Sequence, residues 1–154
     1  MTDAEGATVG VVRTRPSTVL SDCSRVMRSA NYLEALDRSL STALKVNISW
    51  HHFYPACSTT PWQLDGVART LLEDGFNKRQ VYACHNRTVV VSARRGEIAN
   101  RHRQVVRRHN IGNVHLYEPG ERWVHIREVM GDEMDQCLAL DSTYPGGFHI
   151  PRRL

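Results

Sequence analysis

Two polar segments of the chain carry the side chains that could bind a ligand or take part in chemistry. The first, residues 51–60, holds two adjacent histidines, a cysteine and a run of hydroxyl residues. The second, residues 84–88, reads Cys-His-Asn-Arg-Thr. Imidazole, thiolate, hydroxyl and guanidinium groups in one crevice suit anion binding, metal ligation or acid–base chemistry. The chemistry therefore depends on whether the fold brings these two segments together.

Each polar segment follows a predicted β-strand, and a predicted helix lies between them. The strands are predicted over residues 42–50 and 80–84 from their β-branched and apolar content. Strand–helix–strand units cross over right-handed in a parallel sheet, and the sheet binds ligands beyond the carboxyl ends of its strands. The two polar segments should therefore share one rim of the sheet.

The helix between the strands has the clearest pattern in the sequence. Its apolar residues recur with the helical period: Leu64, Val67, Ala68, Leu71 and Leu72. Thr60 is the predicted N-cap, Pro61 the first helical residue and Gln63 the partner in a capping box. Gly75 is the predicted left-handed residue that ends the helix.

The leading functional hypothesis is a cleft for an anionic small molecule at these strand ends. A helix N-terminus offers free N–H groups and the positive end of the helix dipole, and Arg87 could clamp a phosphate or carboxylate. The predicted ligand-binding residues are Lys45, Asn47, His51, Ser58, Thr59, Thr60, His85, Asn86 and Arg87. Plain capping also explains Thr60. The Gly-rich signatures of dinucleotide folds and P-loops are missing from this region, and the sequence identifies no catalytic residue.

For metals and cofactors the prediction is none. The weaker candidates for a metal are Cys57, Cys84 and His85, with His51 as an alternative ligand, but their spacing matches no standard zinc pattern. The cysteines are scattered without a CxxC pair, so an iron–sulfur cluster is not supported and free thiols are expected. A nucleophilic cysteine paired with a histidine is a further alternative. The ordinary role of such cysteines is that of small buried apolar residues.

Composition indicates one soluble domain. The chain has 154 residues with a net charge of +4, and no run approaches the ~20 apolar residues of a membrane span. The N-terminal segment does not resemble a secretory signal, so a cytoplasmic location without membrane contact is expected. The positive charge is concentrated in Arg94, Arg95, Arg101, Arg103, Arg107 and Arg108. No aromatic residue interleaves to stack bases, so a solvated helix face is favoured over a nucleic-acid partner.

The remaining patterns complete an α/β fold, a mostly parallel sheet with flanking helices. They predict helices over residues 17–30, over 31–40 with Asn31 as N-cap, and over 98–109. They predict strands over 9–14, 113–117, 123–129 and 137–140, and turns without a closing helix at the end of the chain. Residues 1–8 are expected to be a flexible tail and residues 9–154 a single α/β domain.

Several segments resemble the start of domain-of-unknown-function family 362: the strand Lys-Val-Asn-Ile at 45–48, Thr-Thr-Pro at 59–61, Glu-Asp-Gly at 73–75 and the strand at Val81. The longer stretches NISWHHFYPACSTTPWQLDGV, CHNRTVVVSARRGE and IPRRL are similar to a bacterial subgroup of that family. The resemblance covers residues 9–154 and implies an α/β fold. Some relatives are described as iron–sulfur proteins because of an appended cysteine cluster, which this sequence lacks.

Because members of that family are longer, the resemblance implies that the chain is a truncated, N-terminal portion of a larger α/β domain. Uncovered sheet edges would then favour self-association. As to function, the resemblance implies an uncharacterised protein. The hypothesis of a cleft for an anionic small molecule comes from the residues at the strand ends. The alternatives are a non-catalytic binding or regulatory module that contacts nucleic acid through the Arg-rich helix, and a metal-dependent isomerase or racemase suggested by fold analogy.

Overall fold

The computed structural model describes residues 8–55, 57–86, 90–116, 123–126 and 148–151. The chain divides into two compact units, residues 1–115 and residues 116–154. The prediction of one domain over residues 9–154 stays a prediction. Most of the predicted tail, residues 1–7, lies outside the described residues.

The first unit is an α/β fold. Its elements in chain order are α1 (Val19–Ser29), α2 (Tyr32–Ala35), β1 (Thr42–Lys45), α3 (Pro61–Glu73), β2 (Val81–His85), α4 (Ala93–Ala99), α5 (His102–His109) and β3 (Gly112–His115). The strands form a parallel sheet in the order β1-β2-β3. Thr42 pairs with Val81, and Tyr82 pairs with Gly112. This confirms the predicted parallel sheet with flanking helices.

The hydrophobic core lies between the sheet and α3 and α5. Alternation along a strand places Val81, Ala83 and His85 on one face of the sheet. The core cluster includes Val46, Leu64, Ala68, Leu71, Val81, Ala83, Val105 and Val106. Helix α3 packs between α1 and α5, as its apolar stripe predicts.

Helix α3 begins and ends at the residues that the sequence predicts. Thr60 has extended backbone angles, and its Oγ1 accepts a hydrogen bond of 3.3 Å from the Gln63 N–H. Pro61 occupies the first helical turn. Gly75 has a φ of +91°, a conformation that glycine adopts without the strain imposed by a Cβ.

The single helix predicted over residues 98–109 is wrong, because the chain breaks into α4 and α5 at residues 100–101. Asn100 is the C-cap of α4, and Arg101 adopts the left-handed conformation with a φ of 63°. The Asn100 side chain, 1% exposed, binds backbone groups of the loop after β1. Asparagine favours caps and turns because its amide competes for backbone hydrogen bonds, and these distant contacts fix the break here.

Other predicted elements differ in extent. Residues 9–14 belong to the described part of the chain but form no strand; this segment lies against α1, where a Cβ added to Gly10 would come within 2.5 Å of Ser29 Oγ. A β-branched run is not a strand without a partner to pair with. Helix α2 ends at Ala35 rather than Leu40, and Asn31 adopts the left-handed conformation instead of capping through its side chain.

The strands of the first unit are close to prediction, although β1 is shorter. It ends at Lys45, and Asn47 then bonds to Thr59 in the following loop. Strand β2 lies one residue later than predicted, and β3 covers residues 112–115. Tyr117, the predicted end of that strand, lies outside the described residues.

The second unit contains an antiparallel pair, β4 (Trp123–Ile126) and β5 (Phe148–Pro151). Strand β4 confirms the strand predicted from Trp123. Strand β5 lies where the sequence indicated only turns. Its alternation of apolar residues is short and is flanked by glycine and proline, which are typical of turns. The strand predicted over residues 137–140 lies outside the described residues.

Candidate functional site

The loops after β1 and β2 lie on one rim of the sheet, as the strand–helix–strand pattern predicts. Strands β1 and β2 are parallel neighbours, and the Val46 N–H donates to the Cys84 carbonyl at 3.0 Å just beyond their paired residues. The first loop then turns toward α4. A Cβ added to Gly96 would come within 2.3 Å of Ile48 Cγ2 and 3.4 Å of His51 Cα, so the small residue allows this close approach.

Asn100 clamps the loop after β1 to the end of α4. Its Nδ2 donates to the carbonyls of Trp50 and His52 at 3.3 and 3.2 Å, and its Oδ1 accepts from the Tyr54 N–H at 3.2 Å. Nδ2 also donates to the Gly96 carbonyl at 3.0 Å. The backbone of this loop is therefore fixed by the fold.

The predicted hydroxyl residues of the loop also serve the fold. Thr59 Oγ1 accepts from the Asn47 N–H at 2.9 Å, and the Thr59 N–H donates to the Asn47 carbonyl at 2.9 Å. The Thr59 carbonyl accepts from His102 Nε2 at 2.5 Å. Thr60 caps α3. Ser58 is buried, and its Oγ has no hydrogen-bond partner among the described residues.

The other predicted ligand residues differ in their exposure. Lys45, Asn47 and Asn86 are exposed, whereas His85 is fully buried. His51 is partly buried and stacks on Trp50 with ring centroids 5.0 Å apart, and burial lowers its pKa. Arg87 lies outside the described residues.

The two candidate thiols occupy different environments. Cys57 is exposed, and its Sγ lies 3.5 Å from the Tyr54 carbonyl. Cys84 is buried, and burial raises the pKa of its thiol, which opposes formation of a thiolate. Because neighbouring residues of a strand point to opposite faces, Cys84 and His85 do not face the same crevice.

Beyond the rim, the structure brings together a buried cluster that the sequence did not predict as a set. We call His85, Glu97 and His115 the histidine–glutamate cluster. His85 ends β2, His115 ends β3, and the two are paired in the parallel register with ring centroids 5.1 Å apart. Glu97, 0% exposed, approaches both rings from α4. Its Oε2 lies 3.6 Å from His85 Nε2 and 3.3 Å from His115 Nε2.

Two further side chains hold Glu97 in this cluster. Arg103 donates from Nε to Oε1 at 2.8 Å and also from Nη2 to the same oxygen. Asn113 donates from Nδ2 to Oε2 at 2.7 Å, and its Oδ1 lies 2.9 Å from His85 Nε2. Each carboxylate oxygen thus has a donor, as a buried charge requires.

The cluster combines an ionised carboxylate with a neutral imidazole. Burial acts to raise the pKa of Glu97, but hydrogen bonds from Asn113 and Arg103 outweigh it, and the net shift is downward. Burial lowers the pKa of His85 to about 4, so this ring is neutral at pH 7. Burial likewise lowers the pKa of His102, which lies on α5.

Sequence reasoning found His85 but missed Glu97, Asn113 and His115. The strand-end rule could not bring in His115, because the strand predicted over residues 113–117 continued past it, whereas the observed β3 ends there. Glu97 carried no comparable signal, because it lies beside a run of arginines and looks like one more residue of a charged helix face.

A second feature is a surface cavity of about 480 Å³ near the N-termini of α1 and α3, which we call the arginine cavity. Its charged lining residues are Asp65, Arg69, Arg101 and Arg108. Arg108 binds Asp65 at 2.5 Å, and Arg69 binds Glu73 at 2.6 Å. The Arg101 guanidinium lies 5.9 Å from the centroid of the Phe53 ring. The other lining residues include Ser17, Ser21, Trp62 and Gln104.

These features define an α/β protein with a three-stranded parallel sheet. No protein-family model matches the chain, and neither curated proteins nor solved structures give a significant match. The resemblance to domain-of-unknown-function family 362 therefore stays a prediction. Among the described helices, none has both the length and the apolar content to cross a membrane.

Proposed function

We propose that the chain binds a small anionic molecule and that the ligand occupies the arginine cavity. The observation that carries this proposal is the convergence of three guanidinium groups on one cavity whose lining contains a single carboxylate, Asp65. The ligand class is the one that the sequence predicted. The location differs, because Thr59 and Thr60 at the strand-end loop are occupied by the hydrogen bonds of the fold.

The charge balance of the arginine cavity favours an anion. Arg108 is neutralised by Asp65, and Arg69 is shared with Glu73 on the same helix. Arg101, which is exposed, contacts the Phe53 ring. Guanidinium groups bind carboxylates and phosphates through two parallel N–H donors, so Arg101 is the residue best placed to take an incoming anion.

The helix ends and the size of the cavity support the same ligand class. The N-termini of α1 and α3 contribute to its wall, and the first turns of helices present N–H groups and positive dipole ends. A volume of about 480 Å³ lies in the range of ~300–1,000 Å³ that is usual for small-molecule sites. Trp62, 44% exposed, adds a flat apolar wall. These features fit an organic phosphate or carboxylate.

The alternative of nucleic-acid binding through the Arg-rich segment is less well supported. Two of its arginines, Arg103 and Arg108, are held by the carboxylates of Glu97 and Asp65. A phosphate backbone would compete with those ion pairs for the same guanidinium groups.

The test is a titration of the full chain with inorganic phosphate and with succinate, followed by amide resonances in NMR and by calorimetry. We expect shifts confined to residues 17–21, 62–69 and 101–108. Arg101→Gln should weaken binding by about tenfold or more, because a hydrogen bond to a charged group contributes ~1.5–3 kcal/mol. Arg107→Gln is the matched control, since Arg107 is an exposed arginine on α5, the helix that follows Arg101, and does not line the cavity. Equal affinities of the two variants, or no amide shift at these positions, would refute the proposal.

A further inference from the structure

We propose that the histidine–glutamate cluster is a binding site for a divalent transition-metal ion, with His85, Glu97 and His115 as its protein ligands. The site lies between α4 and the carboxyl ends of β2 and β3, and it is independent of the anion site proposed above. It also departs from the sequence-based prediction of no metal, which considered the cysteines and His85 but not Glu97 or His115.

The backbone brings the three ligands together from separate elements. The parallel register pairs His85 with His115, which places both rings on the helix-covered face of the sheet. Helix α4 supplies Glu97 from above that face, beside Gly96, where the chain packs closely on the loop after β1. All three residues therefore sit on rigid elements, which a metal site needs in order to hold its geometry.

The separations within the cluster suit one ion. With bonds of ~2.0–2.2 Å to nitrogen and oxygen, the ligand atoms of a tetrahedral site lie about 3.3–3.6 Å apart. The distances from Glu97 Oε2 to the two Nε2 atoms are 3.3 and 3.6 Å. The three candidate ligand atoms all lie within 4.8 Å of one another. A small rotation of the imidazole rings would therefore bring all three within bonding distance of one ion.

The cluster contains buried nitrogens that lack a hydrogen-bond partner in the described part of the chain, as His51 and His102 also do outside it. Among the described residues, His85 Nδ1 and His115 Nε2 are buried without a hydrogen-bond partner. A buried polar atom left without a partner costs about 1–3 kcal/mol, and an ion at the centre of the cluster would give His115 Nε2 a partner. The side chain of His115 is only 10% exposed, so water reaches that nitrogen poorly.

The side chains around the cluster also fit a metal site. Arg103 holds Oε1, the kind of outer contact that orients a ligating carboxylate. Asn113 is exposed, so its amide group can rotate away from His85 Nε2 and Glu97 Oε2 together when these two atoms bind the ion.

The donor set indicates the class of ion. Two imidazoles and one carboxylate suit Zn²⁺, Fe²⁺, Co²⁺ or Ni²⁺, whereas Mg²⁺ and Ca²⁺ prefer sites made of oxygen ligands. Arg103 brings a positive charge to the same carboxylate, and Coulomb repulsion from it lowers the affinity. We therefore expect reversible binding that a chelator removes.

The test uses the full chain, stripped with a chelator and titrated with Co²⁺ and Zn²⁺ while calorimetry and the visible absorption of Co²⁺ are recorded. We expect one ion per chain and an intense Co²⁺ band typical of nitrogen and oxygen ligands in low coordination number. His115→Gln should weaken binding at least tenfold. His52→Gln is the control, because His52 is exposed and lies outside the cluster. Unchanged binding in His115→Gln, or equal loss in both variants, would overturn the site.

A second measurement covers the case in which His115→Gln does not fold. In the wild-type chain, Zn²⁺ should shift the imidazole resonances of His85 and His115 but leave those of His52 in place. If Zn²⁺ does not shift the resonances of His85 and His115, the proposal is overturned. Arg101→Gln should bind Zn²⁺ like the wild type, so failure of the anion site and failure of the metal site remain distinguishable.

Discussion

Replacing Asn100 with alanine should make the loop after β1 more mobile and leave the sheet unchanged. The substitution removes the hydrogen bonds from Asn100 to the carbonyls of Trp50 and His52 and from the Tyr54 N–H. The Gly96 carbonyl does not become unsatisfied, because it still accepts from the backbone N–H of residue 100 at 2.8 Å. The loss therefore concerns three contacts to one loop.

The expected cost follows from those three bonds. A net contribution of ~0.5–1.5 kcal/mol for each bond gives a loss of about 1.5–4.5 kcal/mol in the free energy of unfolding. Trp50 and His52 are exposed, so water replaces part of what their carbonyls lose. Even the lower value is a large fraction of the ~5–15 kcal/mol that stabilises a typical domain.

Urea denaturation gives the free energy of unfolding, and amide hydrogen exchange locates the change. We expect faster exchange at residues 50–54 and 59, with little effect in α1. Gln104→Ala is the control, because Gln104 is an exposed amide residue on α5, where substitution should change stability by no more than about 0.5 kcal/mol. A loss below that value for Asn100→Ala, with unchanged exchange in the loop, would show that Asn100 does not hold the loop.

Two further predictions concern the helices. Thr60→Ala should lower the free energy of unfolding by about 1 kcal/mol in urea, because Thr60 caps α3; no measurable change would mean that the backbone alone starts the helix. Hydrogen bonds from Arg28 and Tyr32 lower the pKa of Asp74 below its ordinary value of 3.8. The unfolded chain therefore binds more protons than the folded chain, and the stabilisation present above that value is lost as the pH falls through the folded-state pKa. Denaturation at a series of pH values should show this loss reduced in Asp74→Asn and retained in Glu34→Gln; equal slopes would contradict the assignment.

The sequence was most informative where local signals agreed. Helix α3 has an N-cap, a proline in its first turn, a periodic apolar face and a final glycine, and the structure matches all four features. The parallel pairing of β1 and β2 follows from the helix between them. The break at Asn100 could not be found in the same way, because its side chain binds residues that lie 46 to 50 positions earlier in the chain.

The candidate sites show the same limit. His85 was predicted from its place at a strand end, but Glu97 gains its importance from burial against β2 and β3, which composition does not reveal. The run of arginines was interpreted as a solvated face. In the structure, five of the six arginines are exposed, the exception being Arg103. Arg103 and Arg108 also bind buried carboxylates, Glu97 on α4 and Asp65 on α3, and the sequence did not indicate these pairs.

The break between α4 and α5 also limits how the length of this segment can change. In an uninterrupted α-helix, residues 97 and 103 would point about 120° apart, yet Arg103 bonds to Glu97 here. The turn at residues 100–101 therefore resets the helical phase so that Arg103 meets Glu97 while His102 reaches Thr59. Inserting or deleting one residue in the turn would rotate α5 by about 100° relative to α4 and separate both pairs. A change in the length of this turn should therefore disturb the structure more than a substitution at position 101. Glycine or asparagine at that position could adopt the same left-handed conformation as Arg101.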